Sequence, residues 1–389
     1  MSFSRDILQG LCEMFESNKD FVENIDTLVS HLDYDKSRSN FLKNIIRKYN
    51  CESAIKDEIA NHLNSVEMAS LINAKKFTYT NSIISLYGFL ENFIESIARE
   101  FIINLNAMQA PFLSLPKEIR SSHLELSIDL LKKVRRNRAQ NKEQKITLIK
   151  SVIANMNSCV QEDAAYQLNE QAFSNHSSNF RYDAIHNLFC KIGIHGVPRL
   201  ALRNPELRNS LATKHTVNSN IEEKVLLSLL TSELDDLAQR RNEIAHGSFD
   251  GDLESVEMVI ERALLLKSFG NSVSEVLIDY FHNFVFISSI KTKIGKPDKT
   301  YNGSCVFGFI ANQSHNNGET TDIKVGDMLF AVNDASNNKI KYGKIVSIVN
   351  NKLPTASIQL PSLTDFAIKV DFEFSAHMDN RRIYTVPQA

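Results

Sequence analysis

The segment RRNEIAHGS, Arg240 to Ser248, sets two arginines, an asparagine and a histidine side by side. Arginine stays charged at any working pH, grips a phosphate with two parallel N–H donors and offsets negative charge developing in a transition state. Histidine gives and takes protons near neutrality and serves as a general acid or base. Asn242 precedes His246 by one helical turn, so its amide lies on the same face and is placed to orient a ligand or the ring. Such residues suit proton transfer beside an anion, as in the attack on a phosphate ester.

The element carrying them reads as a helix. Projected at about 100° per residue, Leu226, Leu230, Leu234, Leu237 and Ile244 form one apolar stripe. Arg241 falls inside that stripe, Arg240 off its centre and Asn242 further round. A charge on a packed face is costly unless paired or near water. Arg241 therefore anchors an internal carboxylate or faces a cleft or a subunit interface. Gly247 reads as the helix stop, with His246 in the last turn, and the carboxyl end of a helix favours an imidazolium. Arg241 and His246 diverge by about 140° on an ideal helix. Two copies about a two-fold axis offer one way to line a single cleft with both. Arg181 and His186 in RYDAIH repeat the bare spacing, but Arg241 alone is followed by Asn242, and His246 alone ends a segment as Ala-His-Gly. The same residues also fit a plain structural use, Arg241 pairing with an acid and His246 closing a helix.

The chain has 389 residues, enough for two or three domains, with 43% hydrophobic residues and a formal net charge of -2. No global basic field advertises nucleic acid, so any such surface is local. The five cysteines are far apart and never in CxxC spacing, which fits a reducing, cytoplasmic setting and argues against a disulfide framework or a zinc site. No secretory leader and no membrane span are expected.

Roughly the first 283 residues read as helical, with apolar residues recurring at three and four, as in Ile83, Leu86, Phe89, Leu90, Phe93, Ile94 and Ile97. From about Phe284 the texture changes. SCVFGFIA, DMLFAV, KIKYGKIVSIV, TASIQL and FAIKVDFEF look like strands, NQSHNNGE and NDASNNK like hairpin turns, and Lys324-Val325-Gly326-Asp327 like a turn that opens a strand. The expected class is α+β and multidomain. A helical extension over 1–74 and a large helical bundle over 75–283 precede a small β-barrel or β-sandwich over 291–389.

Arg241-Asn242-Glu243-Ile244-Ala245-His246-Gly247 resembles the signature of HEPN-type ribonucleases. The preceding LDDLAQR and the trailing glycine are similar to the stand-alone, RiboL-PSP-like branch found among prokaryotic toxin and defence proteins. SLYGFLENFIESIA resembles the first core helix of that branch, with Glu91 at its acidic position, and NFRYDAIHNLFCKIGI the segment before the signature helix. The likeness covers about residues 75–283. It implies an all-helical, usually dimeric ribonuclease without metal or cofactor, in which the ribose 2′-hydroxyl attacks the adjacent phosphate to leave a 2′,3′-cyclic phosphate and a 5′-hydroxyl. Carried over, His246 is the general acid–base, Arg241 the phosphate or transition-state anchor, Asn242 a positioning residue, and Glu91 the group that orients Arg241 or the site. The implied substrate is RNA, tRNA included, in a toxin or anti-phage role.

Lys132, Lys133, Arg135, Arg136 and Arg138 crowd LKKVRRNRAQNKEQK and, with Arg240, are the candidate RNA-binding residues. Such a run neutralises phosphates and makes binding salt-dependent, although a solvated face has the same composition. The β-region lies outside the resemblance and is a candidate sensor or docking module for a regulatory or phage protein. The competing function is a non-catalytic HEPN-like scaffold that binds RNA or a nucleotide, or only dimerises.

Overall fold

The protein is described by a computed structural model covering residues 16–48, 53–136, 141–162, 165–175, 179–218, 220–249, 251–288, 291–301, 305–311, 320–333, 340–360, 362–371 and 381–385. Among the described residues ten α-helices come first: α1 (Glu16–Lys48), α2 (Ser53–Met108), α3 (Lys117–Arg136), α4 (Lys142–Val160), α5 (Glu170–Ser174), α6 (Tyr182–Lys191), α7 (Val197–Ala201), α8 (Pro205–Lys214), α9 (Glu223–Ala245) and α10 (Val256–Ser288). Helix α2 runs unbroken past residues 74 and 75. The long helices bury one common core, in which Phe21 and Ile25 of α1, Leu86 and Leu90 of α2, Leu230 and Leu234 of α9, and Phe269 and Phe281 of α10 all lose solvent. Each supplies apolar residues three and four apart, and only mutual burial gives such stripes a stable home.

Helices α1 and α10 touch through a small residue. Gly270 faces the Phe21 ring, which stacks on Phe93 at 4.6 Å between centroids. A Cβ at Gly270 would sit 2.6 Å from Cδ1 of Phe21 and closer still to Cε1. The ring is buried and held on its other side, so it has little room to give. Gly270→Ala is therefore expected to cost about 1–3 kcal/mol of overpacking, offset by about 1 kcal/mol of helix propensity. A urea midpoint below wild type at unchanged slope is the expected reading, and an equal or higher midpoint would refute the close approach.

The β-region follows α10 as ten antiparallel strands: β1 (Thr292–Gly295), β2 (Lys299–Tyr301), β3 (Val306–Phe309), β4 (Thr321–Lys324), β5 (Met328–Asn333), β6 (Ile340–Asn350), β7 (Leu353–Thr355), β8 (Ser357–Leu360), β9 (Phe366–Val370) and β10 (Arg381–Thr385). Eight form a curled sheet in the order β1-β10-β5-β6-β9-β3-β2, with β7 on β6, while β4 and β8 make a separate pair. The long β6 pairs with β5 through its first half and with β9 through its second, and a register shift between Ile345 and Ser347 lets it bend from one to the other. The result is a half-barrel after a helical bundle, in line with the α+β reading. The segments read as strands in the sequence carry β3, β5, β6, β8 and β9. The Lys324–Asp327 turn does open β5, with Gly326 at φ +94° and the Asp327 carboxylate accepting the Lys324 N–H at 2.8 Å. The two segments read as hairpin turns lie outside the described residues except for Asn333.

Alternation along β5 joins the two regions. Leu329 and Ala331 face the β core, whereas Met328 and Phe330 belong to the helical core. Tyr384, Phe330 and Tyr342 are direct cross-strand neighbours on β10, β5 and β6, and they pack on His282 and Phe286 near the end of α10. The His282 ring stacks on Tyr342 at 3.4 Å between centroids. Its Nδ1–H donates to the Ile278 carbonyl at 2.8 Å, and its Nε2 is buried without a partner. Burial pushes its pKa down to about 4. Burial does the same to His123, also to about 4, whose Nε2 accepts the Asn169 N–H at 3.0 Å.

These two histidines predict acid lability. Both are neutral when folded and have an ordinary pKa near 6.5 when unfolded, so the unfolded chain binds more protons between pH 6.5 and pH 4. Stability is full above that window and falls as pH drops through it, by up to about 3 kcal/mol per histidine. Replacing His282 by phenylalanine should flatten the pH 4–6.5 limb of the melting-temperature profile. An unchanged limb would show that His282 does not carry it.

Candidate active site

The site is built where the last turn of α9 meets α2 and the segment leading into α6. That segment starts at a buried polar knot. The Asn169 amide donates to Ser127 Oγ at 2.9 Å and to the Val152 carbonyl at 3.2 Å, while its backbone N–H meets His123. Asn106 on α2 pairs with both backbone groups of Leu168. Tied in this way to α2, α3 and α4, the chain runs back along α2, past Arg99 and Glu170 at 3.4 Å, and delivers Asn179 and Phe180 beside Tyr87.

Helix α9 ends as its sequence dictates. His246 is the C-cap, and Gly247 takes the left-handed conformation at φ +69°. The Ser248 N–H reaches the Glu243 carbonyl at 2.9 Å and the Gly247 N–H the Ile244 carbonyl at 3.1 Å, the paired bonds of a Schellman stop. The His246 imidazole is exposed.

Arg241 continues the stripe of buried leucines, one turn beyond Leu237, and is half-buried. Its guanidinium carbon lies 4.6 Å from the centre of the Tyr87 ring. Its Nη1 donates to Asn179 Oδ1 at 3.3 Å and to Asn242 Oδ1 at 3.1 Å. Tyr87 is clamped in turn. Its hydroxyl accepts the Phe180 N–H at 2.9 Å and lies 3.5 Å from both Glu91 Oε1 and Asn179 Oδ1. Burial, reinforced by the Glu91 charge, raises the Tyr87 pKa against the opposing Phe180 hydrogen bond and Arg241 charge, so the phenol stays neutral. Among the described residues Arg241 makes no ion pair. An aromatic face and two amide oxygens hold it, and among the described residues no carboxylate pairs with it.

Arg240, its neighbour, is placed differently. It donates to Asp236 at 2.8 Å and to the Tyr79 hydroxyl at 2.8 Å, and lies 3.7 Å from Glu254. Below it, Arg262 of α10 reaches Glu254 at 2.6 Å, Asp236 at 2.8 Å and Glu233 at 3.2 Å, and Glu233 also meets Lys214 and His215. The Arg262 and Glu254 side chains are 5% and 7% exposed. Burial lowers the Lys214 pKa, and the Arg262 charge lowers it further. Desolvation would likewise lower that of Arg262, but Glu254 and its fellow carboxylates outweigh it and raise it. This network pins the end of α9 to α2 and α10, so Arg240 is committed to carboxylates and Arg241 is not.

The structure thus brings together Arg241, Asn242 and, through the Tyr87 hydroxyl, Glu91. It does not join Arg241 to His246: among the described residues no hydrogen bond or ion pair links the two. Lys132, Lys133, Arg135 and Arg136 lie exposed in the last turns of α3, with Lys132 on Asp129 and Lys133 on the Asn175 amide, both at 2.8 Å. Arg138 lies outside the described residues. Sequence reasoning missed Tyr87 and Asn179. Tyr87 stands one turn before Glu91 on α2, a spacing that hinted at a shared face, whereas nothing local marks Asn179.

Among the described residues no helix is long and apolar enough to cross a membrane, and no group of three or more His, Cys, Asp or Glu is arranged to hold a metal ion. Comparison with curated proteins and with solved structures finds no match. The family model described as RiboL-PSP-HEPN matches residues 50–296. That span takes in α2 to α10, every residue gathered around Arg241, and His246 itself. HEPN domains are generally ribonucleases or otherwise work on RNA, and they often dimerise. The chain belongs to the RiboL-PSP-HEPN family.

Proposed function

We propose that the protein is a metal-independent endoribonuclease acting as a homodimer, in a toxin or anti-phage defence role, with RNA such as tRNA as substrate. The observation that carries this reading is the uncancelled charge of Arg241. A half-buried guanidinium braced on Tyr87 and two amide oxygens is oriented before substrate arrives, and among the described residues no carboxylate pairs with it in competition with a phosphate.

In the reaction, the 2′-oxygen attacks phosphorus and the bond from phosphorus to the 5′-oxygen breaks. A base takes the 2′-hydroxyl proton and an acid protonates the departing 5′-oxygen. Arg241 holds the non-bridging phosphate oxygens as charge builds on them. His246 handles protons, Asn242 keeps the guanidinium aimed, and Glu91 fixes Tyr87 and through it the site. Because Arg241 and His246 point apart on one helix, His246 works on a phosphate held across the two-fold by the second copy of the chain. The half-barrel, docked on α10 through Tyr342, Phe330 and Tyr384, is the candidate contact for a regulatory or phage protein.

One observation favours a second reading, an RNA-binding scaffold without cleavage: within one chain no hydrogen bond fixes the tautomer of the exposed His246. The deciding experiment incubates the full chain with total tRNA and labelled single-stranded RNA in EDTA and maps the fragment ends. Fragments ending in 2′,3′-cyclic phosphate and 5′-hydroxyl are expected. Salt-dependent binding with intact RNA, in EDTA and in magnesium alike, would establish the scaffold instead.

A further inference from the structure

A cavity opens on the same face of α2 as the Arg241 cluster. Glu95, which lines it, follows Glu91 by one turn, about 6 Å along the helix axis, and Asn175, which also lines it, belongs to the strand of chain that ends at Asn179. The cavity measures about 220 Å³, below the ~300–1,000 Å³ of drug-sized ligand sites. Leu130, Val134 and Leu148 are its apolar lining, and Glu95, Gln171 and Asn175 are among its polar lining. Lys133 lines it too, with its ammonium on the Asn175 amide oxygen at 2.8 Å. Lys132, Arg135 and Arg136 are exposed on the same helix end.

We propose that this cavity is a nucleobase subsite for single-stranded RNA, resting on the reading of Arg241 as a phosphate anchor. The apolar side chains can take the face of a base, while a carboxylate and two amides offer both acceptors and donors to its edge. The basic end of α3 then carries the flanking phosphates. One side of the molecule therefore presents the arginine for the scissile phosphate, the base cavity and the basic end of α3. Specificity for the base lies in Glu95 and Gln171, and the basic run contributes affinity that any sequence shares. The arrangement suits an unpaired strand, because a base stacked and paired inside a duplex cannot turn into a side cavity.

The test measures binding of a fluorescent single-stranded oligoribonucleotide with every 2′-hydroxyl methylated, so that cleavage plays no part. Ser174 lines the cavity, and Ser174→Trp should fill it and weaken binding about ten-fold. Lys133→Ala, at an exposed position, should weaken binding of all sequences alike and reduce the slope of log K against log salt by about 0.7. Wild-type affinity in both variants overturns the subsite, as does failure of the wild-type chain to bind the oligonucleotide. Should Ser174→Trp melt early, Lys133→Ala together with Glu95→Gln decides, the latter altering the order of preference among homopolymers of A, C, G and U. The subsite stands or falls apart from the nuclease. Absent cleavage with variant-sensitive binding keeps it, and intact cleavage with variant-insensitive binding removes it.

Discussion

RNA cleavage is expected to drop by about 100- to 10,000-fold when His246 becomes alanine, the loss typical of a general acid or base, with folding and RNA affinity expected to stay as they were. The side chain is exposed and among the described residues makes no side-chain hydrogen bond, so its removal is expected to leave no cavity and no orphaned partner. Arg241→Lys is the companion variant. Lysine keeps the charge but loses the planar fork and the stack on Tyr87, and a fall of about 100- to 1,000-fold is expected for a lost transition-state donor. Mixing the two variants adds a test of the two-fold site. If Arg241 and His246 act across the interface, heterodimers of His246→Ala with Arg241→Lys recover one intact site, and activity returns toward a fraction of wild type. Wild-type rates in His246→Ala would remove the catalytic role of this residue. Absent recovery in proven heterodimers would place both residues of a working site in one chain.

Arg262→Ala carries the largest expected cost to stability. Glu254, Glu233 and Asp236 all rely on this guanidinium, and its removal leaves Glu254 and Glu233 buried with less than their share of positive charge. Breaking a buried ionic group on one side costs about 3–5 kcal/mol. In a domain of this size that corresponds to a melting temperature lower by roughly 10 °C. Arg262→Met, which keeps much of the packing volume, should lose nearly as much, because the penalty is electrostatic. The loss should ease at low pH, where the stranded carboxylates take up protons. A shift of no more than a degree or two in Arg262→Ala would show that the network is solvated and contributes little.

Much of this protein is legible in its order of residues. Apolar spacing of three and four specifies helices up to about residue 283, because a helix repeats its buried face at that interval, and α10 in fact runs on to Ser288. Runs of β-branched residues specify strands after it, but DMLFAV is apolar throughout, and only the fold gives Met328 and Phe330 to one core and Leu329 and Ala331 to another. Gly247 announces the end of α9 since few other residues accept its positive φ. The run from Arg241 to His246 announces the family. Beyond that, spacing is silent. The sequence leaves open whether Arg241 pairs with an acid, and the fold answers with Tyr87 and Asn179, which come from 154 and 62 positions away. It separates Arg240 from Arg241 by helical phase alone, and the fold gives one to Asp236, Tyr79 and Glu254 and, among the described residues, leaves the other without an ion pair. The reason is that a helical period fixes which way a side chain points but not what it meets. The partners of Arg241 arrive through the knot at Asn169 and the packing of α2 on α9, contacts between segments far apart in the chain that leave no local pattern.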